Sequence, residues 1–329
     1  MASTPEFSEA RKALLEKYLR GEIRQAAKPA SNVLQPSSPQ STDLPKGVTA
    51  LQSGGSKRPF FYLHGDWRGK IFYCHPLARD LGPDQPFYLV DTYDLDGVPF
   101  PPSIEEMAAF HLKQIRSVQP EGPYLLGGFC CGGLLAYEMA LQLLAEGQKT
   151  DLLLMIDADY PLAEDRLMRR FFTRLGQWLG MNEAQQLDFQ LTFRYVRESF
   201  YYWRKNFSWR KKSNSGQTSE TSEQKKGFVF PTPRWLLAQG RALRKHWPHV
   251  YEWSSFNYVP SKLYPGKLTL FWDEVDTYRR VGWEPIVAAK GQDAEIHILP
   301  GNHITCRTDH LQDFTEALRT CLNAAQVGQ

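Results

Sequence analysis

Gly128-Phe129-Cys130-Cys131-Gly132 places a thiol at the centre of a G-x-C-x-G run. That is the spacing of the G-x-S-x-G nucleophile elbow with cysteine in the serine position. In such a turn the nucleophile is lifted clear of the strand that carries it. The residues two before and two after come so close to the backbone that a Cβ would clash, so both are glycine. The helix that follows points its N-terminus at the thiol, which lowers the thiol pKa and supports a developing oxyanion. With 24 Gly and 5 Cys in 329 residues, composition alone gives about 0.03 such matches. A buried cysteine without this context is most often an inert small hydrophobe. Cys131, one residue past the elbow tip, is expected to offer its main-chain N–H to an oxyanion hole. The second donor is expected from the turn after the first strand of this region, at Gly65 or Asp66.

A thiol nucleophile needs a base and an acid that orients it, in the chain order nucleophile, acid, base. The base belongs in a late loop between the last strand and the last helix. His303, in Leu299-Pro300-Gly301-Asn302-His303-Ile304-Thr305, has that place. His64 lies near the oxyanion turn, His297 within a strand, and His310 in the final helix; the last two read as core or surface residues. Asp157 follows the apolar run 152–156, and Asp273 follows Phe271-Trp272. Both stand at carboxyl ends of strands, where the sites of parallel sheets gather. Either can orient His303, and Asp159 is a weaker third candidate.

The elements that must hold these residues alternate. Apolar runs at 60–63, 87–90, 124–126, 152–156, 267–271 and 294–299 read as buried strands. Helical spacing falls between them, at 71–81, at 103–118 with Ser103 as cap, from Cys131 to Gly147, and at 308–323. On the 103–118 helix the expected buried side carries Ile104, Met107, Phe110, His111 and Ile115. Strands apolar on both faces call for an α/β architecture, a mostly parallel sheet flanked by helices. Residues 161–265 interrupt the alternation with aromatic and basic helical stretches near 162–178, 183–205 and 232–246. Residues 213–226, SNSGQTSETSEQKK, read as disordered. An insertion of this kind is expected to form a helical lid over the strand ends. Its basic residues Arg204, Lys205, Arg210, Lys211, Lys212, Lys225 and Lys226 form a solvated face or meet an acidic partner.

Upstream, residues 1–25 contain an amphipathic helix over 4–25, capped by Thr4, that reads as a surface helix or a docking element. Residues 26–58 lose all periodicity and read as a flexible linker. The main domain is then expected over 59–329. Net charge is +3, too mild to argue for nucleic acid as the main partner. No stretch reaches the roughly 18 apolar residues of a membrane helix, and the N-terminus does not read as a signal peptide. Cys74, Cys130, Cys131, Cys306 and Cys321 form neither a disulfide framework nor a zinc spacing. A cytoplasmic, reducing setting is the expectation.

From about Phe60 to Leu322 the sequence resembles the thioesterase domains of nonribosomal peptide synthetases and polyketide synthases. The resemblance rests on PLARDLGPDQPFYLVD, YLLGGFCCGGLLAYEMALQLLAEGQ, LLLMIDADYP and PGNHITCRTDHL. It implies the α/β-hydrolase fold, with Asp157 as the acid and a Cys130–His303–Asp157 triad. It implies an acyl group taken from a phosphopantetheine carrier-protein thioester and passed to water, an internal nucleophile or another acceptor. The partner is then an acyl or peptidyl carrier protein or a synthetase module, and no metal or bound cofactor is implied. FSEARKALLEKYLRG resembles the linkers that join synthetase modules. Cys130 departs from the family, where most members carry serine. An acyl-cysteine is itself a thioester, so transfer or cyclisation becomes as natural an outcome as hydrolysis. The alternatives are a small-molecule ester or thioester hydrolase of the same fold and a catalytically silent binding module. The aromatic insertion and the upstream helix argue against the first. The intact set Cys130, His303 and two candidate acids argues against the second.

Overall fold

In a computed structural model, residues 44–65, 71–95, 98, 100–160, 163–197, 240, 242–244, 247–255 and 258–327 are described. The expected helix at 4–25, the disordered run at 213–226 and the basic residues between 204 and 226 lie outside them.

Seven strands form one sheet: β1 (Val48–Gln52), β2 (Phe60–Leu63), β3 (Phe87–Val90), β4 (Tyr124–Phe129), β5 (Thr150–Ile156), β6 (Leu268–Asp273) and β7 (Ala294–Leu299). Their spatial order is β1-β3-β2-β4-β5-β6-β7. β1 runs antiparallel to β3 and the remaining pairings are parallel. β4 lies at the centre, and every one of its six residues is buried. That is why its sequence is a continuous apolar and glycine run rather than an alternation.

β1 corrects the expected linker over 26–58. Val48–Gln52 is an edge strand whose alternation is too short and too polar to register as a period. Its ladder to β3, rather than apolar burial, holds it in place.

The helices are α1 (Cys74–Asp80), α2 (Ile104–Arg116), α3 (Cys131–Ala145), α4 (Ala163–Trp178), α5 (residues 183–197), α6 (Trp247–Ser255), α7 (Glu284–Val287) and α8 (Leu311–Val327). Two buried clusters mark the two faces of the sheet. One joins Met107, Leu112 and Ile115 of α2 to Leu134 and Met139 of α3. The other joins Leu77 of α1 to Phe314 and Leu318 of α8. Each fully buried leucine of these layers contributes about 1.5–3 kcal/mol.

Ser103 starts α2 with a reciprocal capping box. Its Oγ accepts from the Glu106 N–H at 3.1 Å, and its own N–H donates to Glu106 Oε2 at 2.7 Å. The expected buried side of α2 needs one correction. Phe110 is 40% exposed, because at 100° per residue it falls away from the stripe of Ile104, Met107, His111 and Ile115. It packs on the ring of Tyr93 instead, at 4.8 Å between centroids.

Between β5 and β6 lie α4, α5 and α6, which fall within the insertion expected over 161–265. Arg169 of α4 stacks over the Trp253 ring of α6 at 4.2 Å. Ser254 of α6 donates to the Pro102 carbonyl at 2.7 Å, tying this layer to the loop before α2.

Candidate active site

β4 ends at Phe129 and α3 begins at Cys131, so Cys130 is the whole of the turn between them. Its backbone is bent to φ 53°, ψ −122°, a conformation that a side chain adopts only under strain. Two backbone hydrogen bonds and two close glycine approaches hold it there. The Cys130 N–H donates to the Ile156 carbonyl at 2.8 Å, and the Gly133 N–H donates to the Cys130 carbonyl at 3.0 Å. A Cβ at Gly128 would overlap the Gly132 carbonyl, and a Cβ at Gly132 would overlap the Leu63 carbonyl. The two elbow glycines are therefore demanded by the packing of β4, α3 and β2 on one another.

His303 sits in the loop between β7 and α8. Its Nδ1 is hydrogen-bonded to Asp157 Oδ2. Asp157 follows β5 directly, at φ 44°, and its N–H donates to the Phe271 carbonyl of β6 at 2.7 Å. The His303 ring lies on Phe129 at 4.7 Å, and Arg307 caps the same phenyl ring at 4.7 Å. The His303 ring also interacts with the Cys130 thiol. The structure thus brings Cys130, His303 and Asp157 together from three separate stretches of sequence.

The electrostatics separate the charges of this set. The Cys130 thiol lies well below its ordinary value. The neighbouring Cys131 side chain contributes most, burial opposes it, and the His303 contact with the charges of His303 and Arg279 adds to the lowering. His303 is raised to about 9. Burial works against its charged form, but the bonds to Asp157 and Cys130 outweigh that. Burial pushes Asp157 up to about 6, against the pull of His303 and Arg279. The shifts favour the charged forms of Cys130 and His303, a thiolate beside an imidazolium, with the Asp157 carboxylate behind the ring.

Asp273, at the end of β6, is buried beside this group. One carboxylate oxygen of Asp273, one of Asp157 and a ring nitrogen of His303 lie within 4.8 Å of one another. Asp273 Oδ1 accepts from the Val275 N–H at 2.9 Å and the Asp276 N–H at 2.5 Å. Its buried Oδ2 has no hydrogen-bond partner among the described residues. Asp159 is half exposed and pairs with Arg279 at 2.5 Å.

Cys131 opens α3, so its N–H is one of the first-turn donors that a helix leaves for outside acceptors. Its thiol donates to the Gly65 carbonyl at 3.2 Å. Gly65 has φ 61°, and a Cβ there would run into the Phe129 carbonyl. Asp66 lies outside the described residues. His64 is buried, with Nε2 at 3.7 Å from Asp91 Oδ1. His297 is in β7 and contacts Glu295. His310 sits in the turn just before α8 rather than in the helix, because α8 begins at Leu311.

Sequence reasoning missed Arg279. It reaches from the segment after β6 to Asp157 at 3.4 Å and to Asp159. The paired cations Arg279-Arg280, a few residues past a strand-end aspartate, were the available signal.

A family model described as "Thioesterase domain" matches residues 69–322. The chain belongs to the thioesterase domain family. Polyketide synthase PksR of Bacillus subtilis is 37% identical over 112 residues, 33% of this chain and 4% of that protein. The dimodular nonribosomal peptide synthase of the same organism is 38% identical over 113 residues, 34% of this chain and 5% of that one. The thioesterase chain thus spans about one twentieth of the length of these relatives. Among solved structures, the NocB thioesterase domain in covalent complex with a fluorophosphonate nocardicin G analog superposes with a TM-score of 0.51. It is 20% identical, covering 84% of this chain and 99% of that one. At that identity the likeness establishes the α/β-hydrolase fold, in agreement with the sheet order and the helices on both faces. No helix among the described residues is long and apolar enough to cross a membrane.

Proposed function

We propose that this thioesterase takes an acyl group from a phosphopantetheine carrier-protein thioester onto Cys130 and passes it to a second nucleophile. The observation that carries the reading is the polarised thiol: Cys130 held at positive φ beside a His303 that is itself bonded to Asp157. The relatives named above are synthases that, by name, build polyketides or peptides. An acyl or peptidyl carrier protein or synthetase module is accordingly the partner, and the pantetheine arm belongs to it.

The Cys130 thiolate attacks the thioester carbonyl carbon. The oxyanion is received by the main-chain N–H groups of Cys131 and Asp66. The carbon–sulfur bond to pantetheine breaks, and His303 gives its proton to the departing thiolate. Acylation removes the negative sulfur that held His303 charged. Its pKa then falls, and the imidazole becomes a base for the incoming water, amine, hydroxyl or thiol.

The test is intact-protein mass after mixing with a panel of acyl-loaded carrier proteins, beside Cys130→Ala. An adduct of acyl mass is expected on the native chain and none on the variant. Product formed equally by both proteins would remove Cys130 from the reaction.

Two further outcomes follow from the charges. Alkylation of Cys130 by iodoacetamide is expected to stay fast well below the ordinary thiol pKa of about 8.5. Acyl transfer is expected to be bell-shaped. It falls as pH drops through about 6, where Asp157 gains its proton, and as pH rises through about 9, where His303 loses its own. An alkylation rate that climbs tenfold per pH unit up to 8.5 would mean an ordinary thiol and no ion pair.

The neighbouring carboxylate gives a third outcome. In Asp157→Asn, Asp273 remains within 4.8 Å of the ring and can orient it. The single variant is expected to lose about 10²-fold in single-turnover transfer. Asp157→Asn with Asp273→Asn is expected to lose about 10⁴-fold, the cost of an unsupported triad histidine. Equal rates for the single and double variants would leave Asp273 with no part in orienting His303.

A further inference from the structure

Away from Cys130, a second group of reactive side chains meets at the edge of the sheet. Glu295 and His297 are two apart on β7, so their side chains leave the same face of the edge strand. Cys321 of α8 meets them there. His297 Nε2 lies 2.8 Å from Glu295 Oε1 and 3.7 Å from Cys321 Sγ, and the three donor atoms are mutually within 4.8 Å.

One imidazole nitrogen therefore faces a carboxylate oxygen and a sulfur at once. A single proton on that nitrogen can serve only one of them, whereas a metal ion serves all three. Ligands on one tetrahedral zinc, with arms of about 2.0–2.3 Å, stand about 3.3–3.6 Å apart. The nitrogen–sulfur separation already fits, and the oxygen must open by about half an ångström on the same scale.

The surroundings suit such a site. The His297 ring is held against Phe271 at 4.9 Å. Lys267 takes the other carboxylate oxygen, Glu295 Oε2, at 2.6 Å, which leaves Oε1 turned toward the imidazole. The glutamate and histidine are partly exposed while Cys321 is buried, so the group is open to solvent on one side for entry and for a water as fourth ligand. A thiol, an imidazole and a carboxylate form a donor set for zinc rather than for calcium or magnesium, which take oxygen alone.

We propose that Glu295, His297 and Cys321 bind a zinc ion that staples α8 to the edge strand β7. Binding forms the zinc–oxygen, zinc–nitrogen and zinc–sulfur bonds, releases the thiol proton to solvent, and moves the imidazole proton to Nδ1. β7 and α8 are the two anchors of the loop that carries His303, so the staple fixes both ends of that loop.

The experiment is a cobalt(II) titration of the full chain carrying Cys130→Ala, which removes the thiol beside His303 as a competing ligand. A thiolate-to-cobalt absorption band saturating at one equivalent, and competed away by zinc, is expected. The band is expected to vanish when Cys321→Ser is added. With Glu295→Gln or His297→Ala added instead, it is expected to need at least about tenfold more cobalt. Glu295 is 41% exposed, so Glu295→Gln tests the site without disturbing the core. Absence of the band, its persistence in the Cys321→Ser chain, or cobalt affinity unmoved by both Glu295→Gln and His297→Ala would overturn the proposal.

Discussion

Cys130→Ser is expected to accept acyl groups slowly and to lose onward transfer to thiol acceptors by at least about 10³-fold, or about 4 kcal/mol of barrier. Two effects act together. A serine hydroxyl does not ionise beside His303, so the ion pair dissolves, and with it the charge on Cys130 that helps hold His303 protonated. The acyl-serine is also an oxoester, lower in energy than the thioester it came from, so passing the acyl group to another thiol becomes uphill. Water, which needs no activated product, remains an acceptor. Cys130→Ala is expected to lose about 10⁴-fold or more, the size of loss that follows removal of a triad nucleophile. Single-turnover rates with a loaded carrier, read by intact mass for adduct and by product analysis for acceptor, measure both. A serine variant within tenfold of the native rate, giving the same products in the same ratio, would mean that the sulfur has no special part in the transfer.

Gly65→Ala is expected to be the most damaging single methyl in the described chain. Its φ of 61° costs an L-residue about 1–2 kcal/mol. The new Cβ also runs into the Phe129 carbonyl, immediately before the nucleophile. Backbone cannot yield as a side chain does, so overpacking adds about 1–3 kcal/mol. The sum is a large part of the roughly 5–15 kcal/mol that a domain holds in total. Gly82→Ala is the control: its φ is 98°, but nothing lies within 4 Å of the added carbon. Urea unfolding midpoints are expected to fall at least twice as far for Gly65→Ala as for Gly82→Ala. Equal shifts would show that the elbow tolerates displacement of Phe129, and that its tight packing is not what fixes Cys130.

Much of this was legible in the sequence because the elbow is a local device. Strand, turn, helix and the two glycines all fall within Tyr124–Ala145, so spacing alone reports them. His303 was legible from its place between the last strand and the last helix. Arg279 was not, because its contacts to Asp157 and Asp159 depend on how the segment after β6 folds back. β1 was hidden for a different reason: an edge strand held mainly by its backbone ladder leaves little hydrophobic period to read. Phe110 misled because a large aromatic residue draws a stripe toward itself, although its angle around α2 excludes it from the buried face. The choice between Asp157 and Asp273 stayed open in the residues themselves because the fold places both beside the same imidazole.

That shared placement has a consequence for how such a chain can change over generations. A catalytic acid supplied by one strand is ordinarily lost in a single step, and the lineage must then cross an inactive state to regain it from another. Here the adjacent strands β5 and β6 each end in a carboxylate beside His303. With Asp157 as the acid, as proposed above, a descendant that loses it still has a carboxylate within reach, and selection can then refine the second position. On the proposed mechanism the acid can migrate from one strand to the next by single substitutions, each made in a chain that still turns over.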